Sequence, residues 1–354
     1  MLDRLDFQEF YSPDTSERNG FCRRLVSSLK QKGFVRLVNH GVPPQDIDKA
    51  FLEVRFSFSN MGSGYGVQTD LVVVEQTQQF FQLPLEEKLK SPHPPTPNPH
   101  RGYSAFGVEV VATHSNFESK TPMPLLKDMK ESYDIGSERD ELYSNIWPPP
   151  GVQDSFQPFF MSFFSACYQA ECAILEALSI GLGLPPQTLS ERHANQSNEL
   201  RLTHYPAVSR SEFASSTRIA THTDFGTITL LFQDSVGGLQ VEFPFGSGNF
   251  LDVESGGRHE CIINAGDCLQ KWTGLHSTRH RVHLPKPPEE TGTNGVGDGN
   301  DHLVEARYSI AYFAKPDRSV ILRPLLGEKA HDDEQYMTAG EFQQMRISGT
   351  YASG

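Results

Sequence analysis

Three short stretches of this chain carry residue types able to bind a metal ion and a small anion: His222-Thr223-Asp224, His280-Arg281-Val282 and Arg307-Tyr308-Ser309. Each falls on or beside a segment that reads as a β-strand. Side chains two apart on a strand share a face, so His222 and Asp224 are expected to hold one ion from one side while a second strand brings His280. Two imidazoles and one carboxylate cover one triangular face of an octahedron and leave three positions open. That donor set suits non-haem Fe(II), which must also take a bidentate co-substrate and O2. His-x-Asp alone carries little weight, because the chain holds 13 histidines and aspartate at a background of about 5% gives roughly one match by chance. His331-Asp332-Asp333 is such a decoy, set in the polar run GEKAHDDEQY with no strand character and no later histidine. His276 and His283 flank His280. A displaced register would make either of them the third ligand; otherwise both are solvated.

Arg307 and Ser309 alternate on their strand, so guanidinium and hydroxyl stand side by side and can clamp a carboxylate. The simpler reading is a surface arginine paired with an acid. Charge arithmetic favours the clamp: Fe(II) with Asp224 and a dicarboxylate such as 2-oxoglutarate leaves one negative charge, which Arg307 cancels.

Elements must position these groups. Apolar residues at helical spacing predict a helix over Glu17–Lys32, stopped by Gly33. A strand comes next at Phe34–Val38, a second helix starts near Pro43-Pro44, and a third ends in Gln78–Pro84. Ser91–Pro99 and Trp147–Pro150 are proline-rich loops. Phe156–Leu182 reads as a long helix with a buried face that braces the strands after it. Beyond Leu200 come short β-rich runs: Arg201–Tyr205, Ile219–His222, Thr227–Phe232, Leu239–Phe243, Cys261–Asn264, Thr278–Leu284, Tyr308–Phe313 and Val320–Leu322. Their spacing predicts a mainly β jelly-roll or barrel, with Pro285–Asp301 as a long surface loop. A mixed helix and strand region, 1–150, and a β core with its preceding helix, 151–354, are expected to form one compact unit.

The length of 354 residues allows a substantial core, and no stretch approaches the roughly 20 apolar residues of a membrane-spanning helix. The N-terminus MLDRLDFQEF lacks a basic-then-apolar signal pattern, so a cytoplasmic location is expected. Five cysteines without a C-x-x-C pair argue against a disulfide framework or a thiolate zinc site. A formal charge of −13 argues against a nucleic-acid partner and for a small molecule. No membrane association and no obligate protein partner are expected.

Longer motifs carry a resemblance. VNHGV (Val38–Val42), FFQLPLEEK (Phe80–Lys88), RGYSAFG (Arg101–Gly107), KESYDIG (Lys130–Gly136), LRLTHYPAV (Leu200–Val208), HTDFGTITLLFQD (His222–Asp234), GGLQV (Gly237–Val241), INAGD (Ile263–Asp267), STRHRV (Ser277–Val282) and RYSIAYF (Arg307–Phe313) span nearly the whole chain. With them the chain resembles the isopenicillin N synthase-like Fe(II)/2-oxoglutarate-dependent oxygenases, and among these the fungal group that includes thymine 7-hydroxylase. The resemblance implies a double-stranded β-helix with helical N-terminal support. It implies His222, Asp224 and His280 as iron ligands, Arg307 and Ser309 on the distal carboxylate of 2-oxoglutarate, and Tyr205 at its other end. It also implies a substrate rim of Arg101, Tyr103, Phe106, Arg201, Phe225, Lys271 and Trp272. Thr203 stands where many members carry Asn, and Arg279, before the third ligand, should point away from iron by strand parity.

The chemistry implied is oxidation of a C–H, such as a ring methyl, on a small planar molecule such as a pyrimidine or a fungal aromatic polyketide, with Fe(II), 2-oxoglutarate and O2. A same-fold iron oxidase that spares 2-oxoglutarate, and an inactive binding protein, are the alternatives. Arg55–Val74 has no counterpart in the family: glycine-rich and then abruptly apolar, it breaks a helical period that joining Val54 to Glu75 would restore. Retained intron sequence and a genuine inserted loop are both open, and sequencing the spliced transcript separates them.

Overall fold

The computed structural model describes residues 1–51, 76–95, 100–109, 128–211, 213, 217–285, 303–327 and 335–351. Arg55–Val74, nearly all of the loop Pro285–Asp301 and His331-Asp332-Asp333 lie outside the described residues.

Strand β1 (Arg4–Asp6) precedes helix α1 (Thr15–Lys32), which starts two residues before the expected Glu17 because Asp14 caps it, accepting from the Ser16 amide at 2.8 Å. Gly33 ends the helix as expected, with φ 70°, and a Cβ there would lie 1.8 Å from Thr278 Oγ1. Conformation and close approach thus both require glycine. Next come β2 (Phe34–Val38), α2 (Pro44–Phe51), α3 (Gln76–Gln82), α4 (Leu85–Lys88), β3 (Gly102–Ser104), β4 (Glu131–Gly136) and the bracing helix α5 (Phe156–Gly181). The strands β5 (Glu199–Tyr205), β6 (Val208–Ser209), β7 (Ile219–His222), β8 (Ile228–Gln233), β9 (Leu239–Glu242), β10 (Phe250–Asp252) and β11 (Cys261–Ala265) come after it. Helix α6 (Asp267–Thr273), strands β12 (His280–Val282), β13 (Leu303–Val304) and β14 (Arg307–Ala314), and helix α7 (Ala339–Tyr351) complete the order.

An eight-stranded sheet runs β1-β2-β11-β8-β14-β5-β4-β3, and a four-stranded sheet runs β10-β9-β12-β7. From β5 onward the chain passes repeatedly between them, giving the jelly-roll without a closed barrel. Strands of the first 136 residues extend the large sheet at both ends, β2 beside β11 and β4 beside β5.

The large sheet has two unlike faces, and strand alternation builds both. On β5 and β14, Leu200, Leu202, Ile310 and Tyr312 join the apolar core, with Tyr312 edge-on to Phe164 of α5 at 5.2 Å. The intervening Arg201, Thr203, Tyr205, Arg307, Ser309 and Phe313 line a cavity shared with the small sheet. Phe156, Phe160, Phe163 and Phe164 on one stripe of α5 are buried, and each contributes about 1.5–3 kcal/mol relative to exposure. No helix among the described residues is long and apolar enough to cross a membrane.

One expectation needs correction, and one strand was not foreseen. Val320–Leu322 makes only an isolated bridge, Ile321 to Thr338. The unforeseen strand is β4, which the sequence pattern does not announce. All six of its residues are buried, so hydrophobic alternation is absent, and its acids Glu131 and Asp134 are paired with Lys88 and Arg201 at 2.7 Å.

One buried acid tests the core. Glu171 of α5 accepts from Asn198 Nδ2 at 2.7 Å and Tyr312 Oη at 3.0 Å, and burial holds its pKa well above the usual carboxylate range. The folded state therefore keeps a proton that the unfolded chain releases above pH ~4.3, so this group lowers stability as pH rises. Glu171→Gln copies the protonated form. Its melting temperature relative to wild type should rise by at least about 2 °C between pH 5 and pH 8; a gap that narrows with pH would show that the carboxyl ionises in place.

Candidate metal centre and its cavity

His222 closes β7, His280 opens β12, and the two residues sit opposite each other in the ladder. Their ring centres are 4.3 Å apart. Asp224 is not on the strand with His222, as strand parity predicted. It lies in the following loop, which the start of α6 holds by its amides: Asp267 N donates to Asp224 O at 2.8 Å and Cys268 N to Gly226 O at 3.0 Å. The loop comes so close that a Cβ on Gly266 would lie 2.4 Å from Gly226 O.

Hydrogen bonds leave one free atom on each of the three side chains. His222 Nδ1 lies 2.8 Å from Ala220 O and His280 Nδ1 3.2 Å from Thr278 O. A carbonyl only accepts, so both rings carry the proton on Nδ1 and present the Nε2 lone pair. Asp224 Oδ2 accepts from Thr229 Oγ1 at 2.5 Å and Asn264 Nδ2 at 2.7 Å. Its Oδ1 faces His222 Nε2 at 3.8 Å and His280 Nε2 at 3.7 Å. The three groups offer ligand atoms within 4.8 Å of one another. Burial, and then the neighbouring His280, push His222 down to about 4, so its imidazole is neutral at physiological pH. Burial raises Asp224, but His280 and His222 outweigh it and hold the carboxyl below its ordinary value. Two imidazole nitrogens and one carboxylate oxygen, each oriented from behind, fit a divalent metal with open positions.

The flanking histidines are elsewhere. His283 packs on Phe213 and His276 on Phe245, with ring centres 5.0 and 4.2 Å apart. Arg279 turns outward to Glu242, Nε to Oε2 2.8 Å, as parity predicted.

One end of the cavity is built for an anion. Arg307 is buried, with Nη1 3.3 Å from Ser309 Oγ, Nη2 2.8 Å from Gln233 Oε1, and the guanidinium carbon 4.9 Å from the Tyr205 ring centre. Arg218 lies behind Tyr205 at 5.7 Å, and burial followed by Arg307 pushes its guanidinium down to about 10. Among the described residues, Arg307 Nε, Gln233 Nε2, and Arg218 Nε and Nη1 are buried without a partner. Of these residues Arg307 lines the cavity, with Ser309 beside it, and that pair fits the carboxylate of an organic acid.

The opposite wall is ionic but saturated. Arg201 gives Nε and Nη2 to Asp134 at 2.7 and 2.8 Å and Nη1 to Glu109 at 3.1 Å, and Lys130 also pairs with Glu109. His100, Glu109 and Asp134 could by proximity alone hold a second ion, yet Arg201 and Lys130 already occupy both carboxylates. Lys315 pairs with Glu199 at 2.7 Å. Of the expected substrate residues, Arg201 and Phe225 line the cavity. The other five are not brought there. Arg101 pairs with Asp140 at 3.0 Å, the Tyr103 hydroxyl bonds Glu131, and Phe106 is half exposed. Lys271 lies 4.8 Å over the Phe342 ring, and Trp272 is fully buried with Nε1 3.3 Å from Ile321 O. Pairing or packing within their own layer turns them away from the cavity.

Lining residues that the sequence reading missed include His100, Glu109, Lys130, Glu199, Lys315 and, from α7, Arg346. Lys130 stood in the KESYDIG motif and Glu199 in strand alternation. For Arg346 no sequence signal existed.

Comparisons with known proteins agree with this architecture. Residues 196–316 match the family model described as the 2OG-Fe(II) oxygenase superfamily, and residues 2–60 and 63–150 match that of the non-haem dioxygenase N-terminal region in morphine synthesis, a match that takes in Arg55–Val74 except positions 61 and 62, against the expectation of no counterpart there. The chain is 41% identical to the 2-oxoglutarate-dependent dioxygenase frbA of a Dothideomycetidae species, covering 99% of this chain and 97% of the relative. It is 38% identical to the proline hydroxylase buaE of Petromyces alliaceus, with 99% of each chain covered. The crystal structure of the full-length thymine 7-hydroxylase of Neurospora crassa with alpha-KG and thymine superposes with a TM-score of 0.78 at 29% identity, covering 99% of this chain and 97% of that one.

Anaerobic titration with Co(II), followed by its visible absorption, tests the ligand set. Alanine at His222, Asp224 or His280 should weaken binding by at least about 100-fold, and Asn264→Ala by about tenfold. Full affinity in His280→Ala, with loss in His283→Ala, would move the centre.

Proposed function

The chain belongs to the 2-oxoglutarate/Fe(II)-dependent oxygenase superfamily, and from that premise we propose that His222, Asp224 and His280 hold its iron. In the same proposal, Arg307 with Ser309 holds one carboxylate of 2-oxoglutarate. The protein is a 2-oxoglutarate-dependent dioxygenase of the fungal secondary-metabolite type, using Fe(II), 2-oxoglutarate and O2. The observation that carries the site assignment is that three free donor atoms converge in the same cavity as the unsaturated Arg307.

When bound, iron and co-substrate supply the oxidising chemistry: 2-oxoglutarate loses CO2 and takes one oxygen atom of O2 as it becomes succinate, and the other goes to a substrate C–H. The protein supplies orientation and dryness. Thr229 and Asn264 fix which oxygen of Asp224 faces the metal. Arg307 sets the far end of the co-substrate, while Phe34, Leu231 and Val282 exclude water from between the sheets. Tyr205, expected at the other end of the co-substrate, instead has its ring beside the Arg307 guanidinium and orients it.

The substrate we propose is a small, net-neutral ring compound with a polar head. Around the substrate wall Arg201, Lys130 and Lys315 are balanced by Glu109, Asp134 and Glu199, and burial keeps His100 neutral by lowering its pKa. A ligand carrying net charge would leave that charge buried without a counter-ion. A cyclic amino acid such as proline, which one relative is named for hydroxylating, satisfies this as a zwitterion. A planar pyrimidine oxidised at its ring methyl is the second reading, favoured by Phe225 and Phe313 in the lining and by the thymine complex of the similar structure. An aromatic polyketide with a polar edge is a variant of it. In this proposal regions 1–150 and 151–354 act as one unit, since Phe34, His100, Glu109 and Lys130 complete a cavity founded on the later strands. We place the reaction in the cytoplasm, where the free cysteines stay reduced, with no obligate protein partner.

Two measurements test this reading. Succinate and product are followed over a panel of L-proline, thymine and an aromatic polyketide, and stoichiometric succinate with one of them is expected. Arg307→Lys should raise the KM for 2-oxoglutarate about ten- to a hundredfold, since a point charge cannot reproduce the planar fork, and change the substrate KM far less. Unaltered co-substrate dependence would remove the clamp.

A further inference from the structure

One wall of the cavity comes from the C-terminal helix α7, which places Arg346 and Ile347 against it. The Arg346 side chain is only 16% exposed, and it reaches three groups. Nη1 lies 2.8 Å from Asp267 Oδ2, Nη2 donates to Thr223 Oγ1 at 3.2 Å, and the guanidinium carbon stands 4.5 Å from the Phe225 ring centre. Thr223 and Phe225 are the two neighbours of Asp224. Asp267 holds the same loop through its backbone, its amide bonded to Asp224 O. A cation from α7 and a carboxylate from α6 therefore grip the metal-ligand loop together.

We infer that Arg346 is a positioning residue that docks the C-terminal helix as the substrate-side wall of the centre and sets the Phe225 ring against the bound substrate. The inference rests on the function proposed above. The division of labour arises from the contacts. Thr229 and Asn264 fix the Asp224 carboxylate independently, and Arg307 lies at the other end of the cavity, so losing Arg346 loosens the substrate wall and spares metal and co-substrate. Lysine would keep a charge near Asp267 but has no planar fork to span Asp267, Thr223 and the Phe225 face at once.

The test compares wild type, Arg346→Ala, Arg346→Lys and Asp267→Asn as full chains loaded with Fe(II) and 2-oxoglutarate without oxygen. Hydrogen–deuterium exchange is read over 219–227 and 339–351. In Arg346→Ala both segments should exchange about tenfold faster or more, with partial recovery in Arg346→Lys and an intermediate loss in Asp267→Asn. In turnover with whichever panel compound reacts, Arg346→Ala should raise the substrate KM about tenfold and the 2-oxoglutarate KM less than about threefold. Faster exchange in the helix with an unchanged loop, or equal rises in both KM values, would overturn the inference. If no panel compound reacts, the substrate reading fails, and the exchange of the loop still decides the role of Arg346.

Discussion

The candidate metal centre hangs on the pairing of His222 with His280 across β7 and β12. A slip of one residue would send His280 to the opposite face, and β12, three residues long, cannot fix its own register. Its neighbours do. Val241 of β9 faces His280 from the other edge, and Arg279 is drawn outward by Glu242. Just upstream, Thr278 donates to Lys32 O at 3.3 Å and fills the space that a side chain at Gly33 would need. The carbonyl of that same Thr278 accepts from His280 Nδ1. A helix cap in the first tenth of the chain is thus connected, through one threonine, to the tautomer of a ligand on β12.

The two ends of the cavity obey opposite electrostatic rules. On the ionic wall Arg201 is fully engaged: burial lowers its pKa, but Asp134 and Glu109 together outweigh it and hold the guanidinium well above the ordinary value. A saturated ion network of this kind is rigid and offers no net charge, so it selects by shape and by paired polarity. At the other end Arg307 and Arg218 lie near one another with donors unspent. Asp234 faces both guanidinia, but each keeps an unspent donor, so an anion bound there returns binding energy to the folded state. In the function proposed above, this contrast separates the seat of the co-substrate from the substrate region without any further motif.

The large sheet reconciles a fluid-tight core with a polar site by using strand alternation twice. On β14, Ile310 and Tyr312 belong to the layer braced by α5, whereas Arg307, Ser309 and Phe313 face the cavity. Because β5 pairs with β14 in the register Arg307 to Tyr205 and Ser309 to Thr203, clamp and ring meet by backbone geometry alone.

Local elements and ligand types are legible in the order of residues. Periodicity placed α1, β2, α5 and most core strands, and His222, Asp224, His280, Arg307 and Ser309 could be singled out as candidates because each belongs to a short pattern, and the fold brings them into one cavity. Whatever depends on the far side of a contact waited for the folded chain. Asp224 reaches the centre through a loop held by α6 amides, where strand parity had placed it on β7. Arg101, Tyr103, Phe106, Lys271 and Trp272 were rim residues by resemblance, yet partners distant in sequence turn or bury Arg101, Tyr103, Lys271 and Trp272 elsewhere, and Phe106 stands half exposed. β4 was hidden because ion pairs take the place of hydrophobic alternation, and Arg346 because nothing near it in the chain reveals that Asp267 and Thr223 lie within its reach. Alternation and helical period report the backbone's own geometry; which charged groups are paired, and so which side chains are free to meet a ligand, is fixed only when distant segments close on one another.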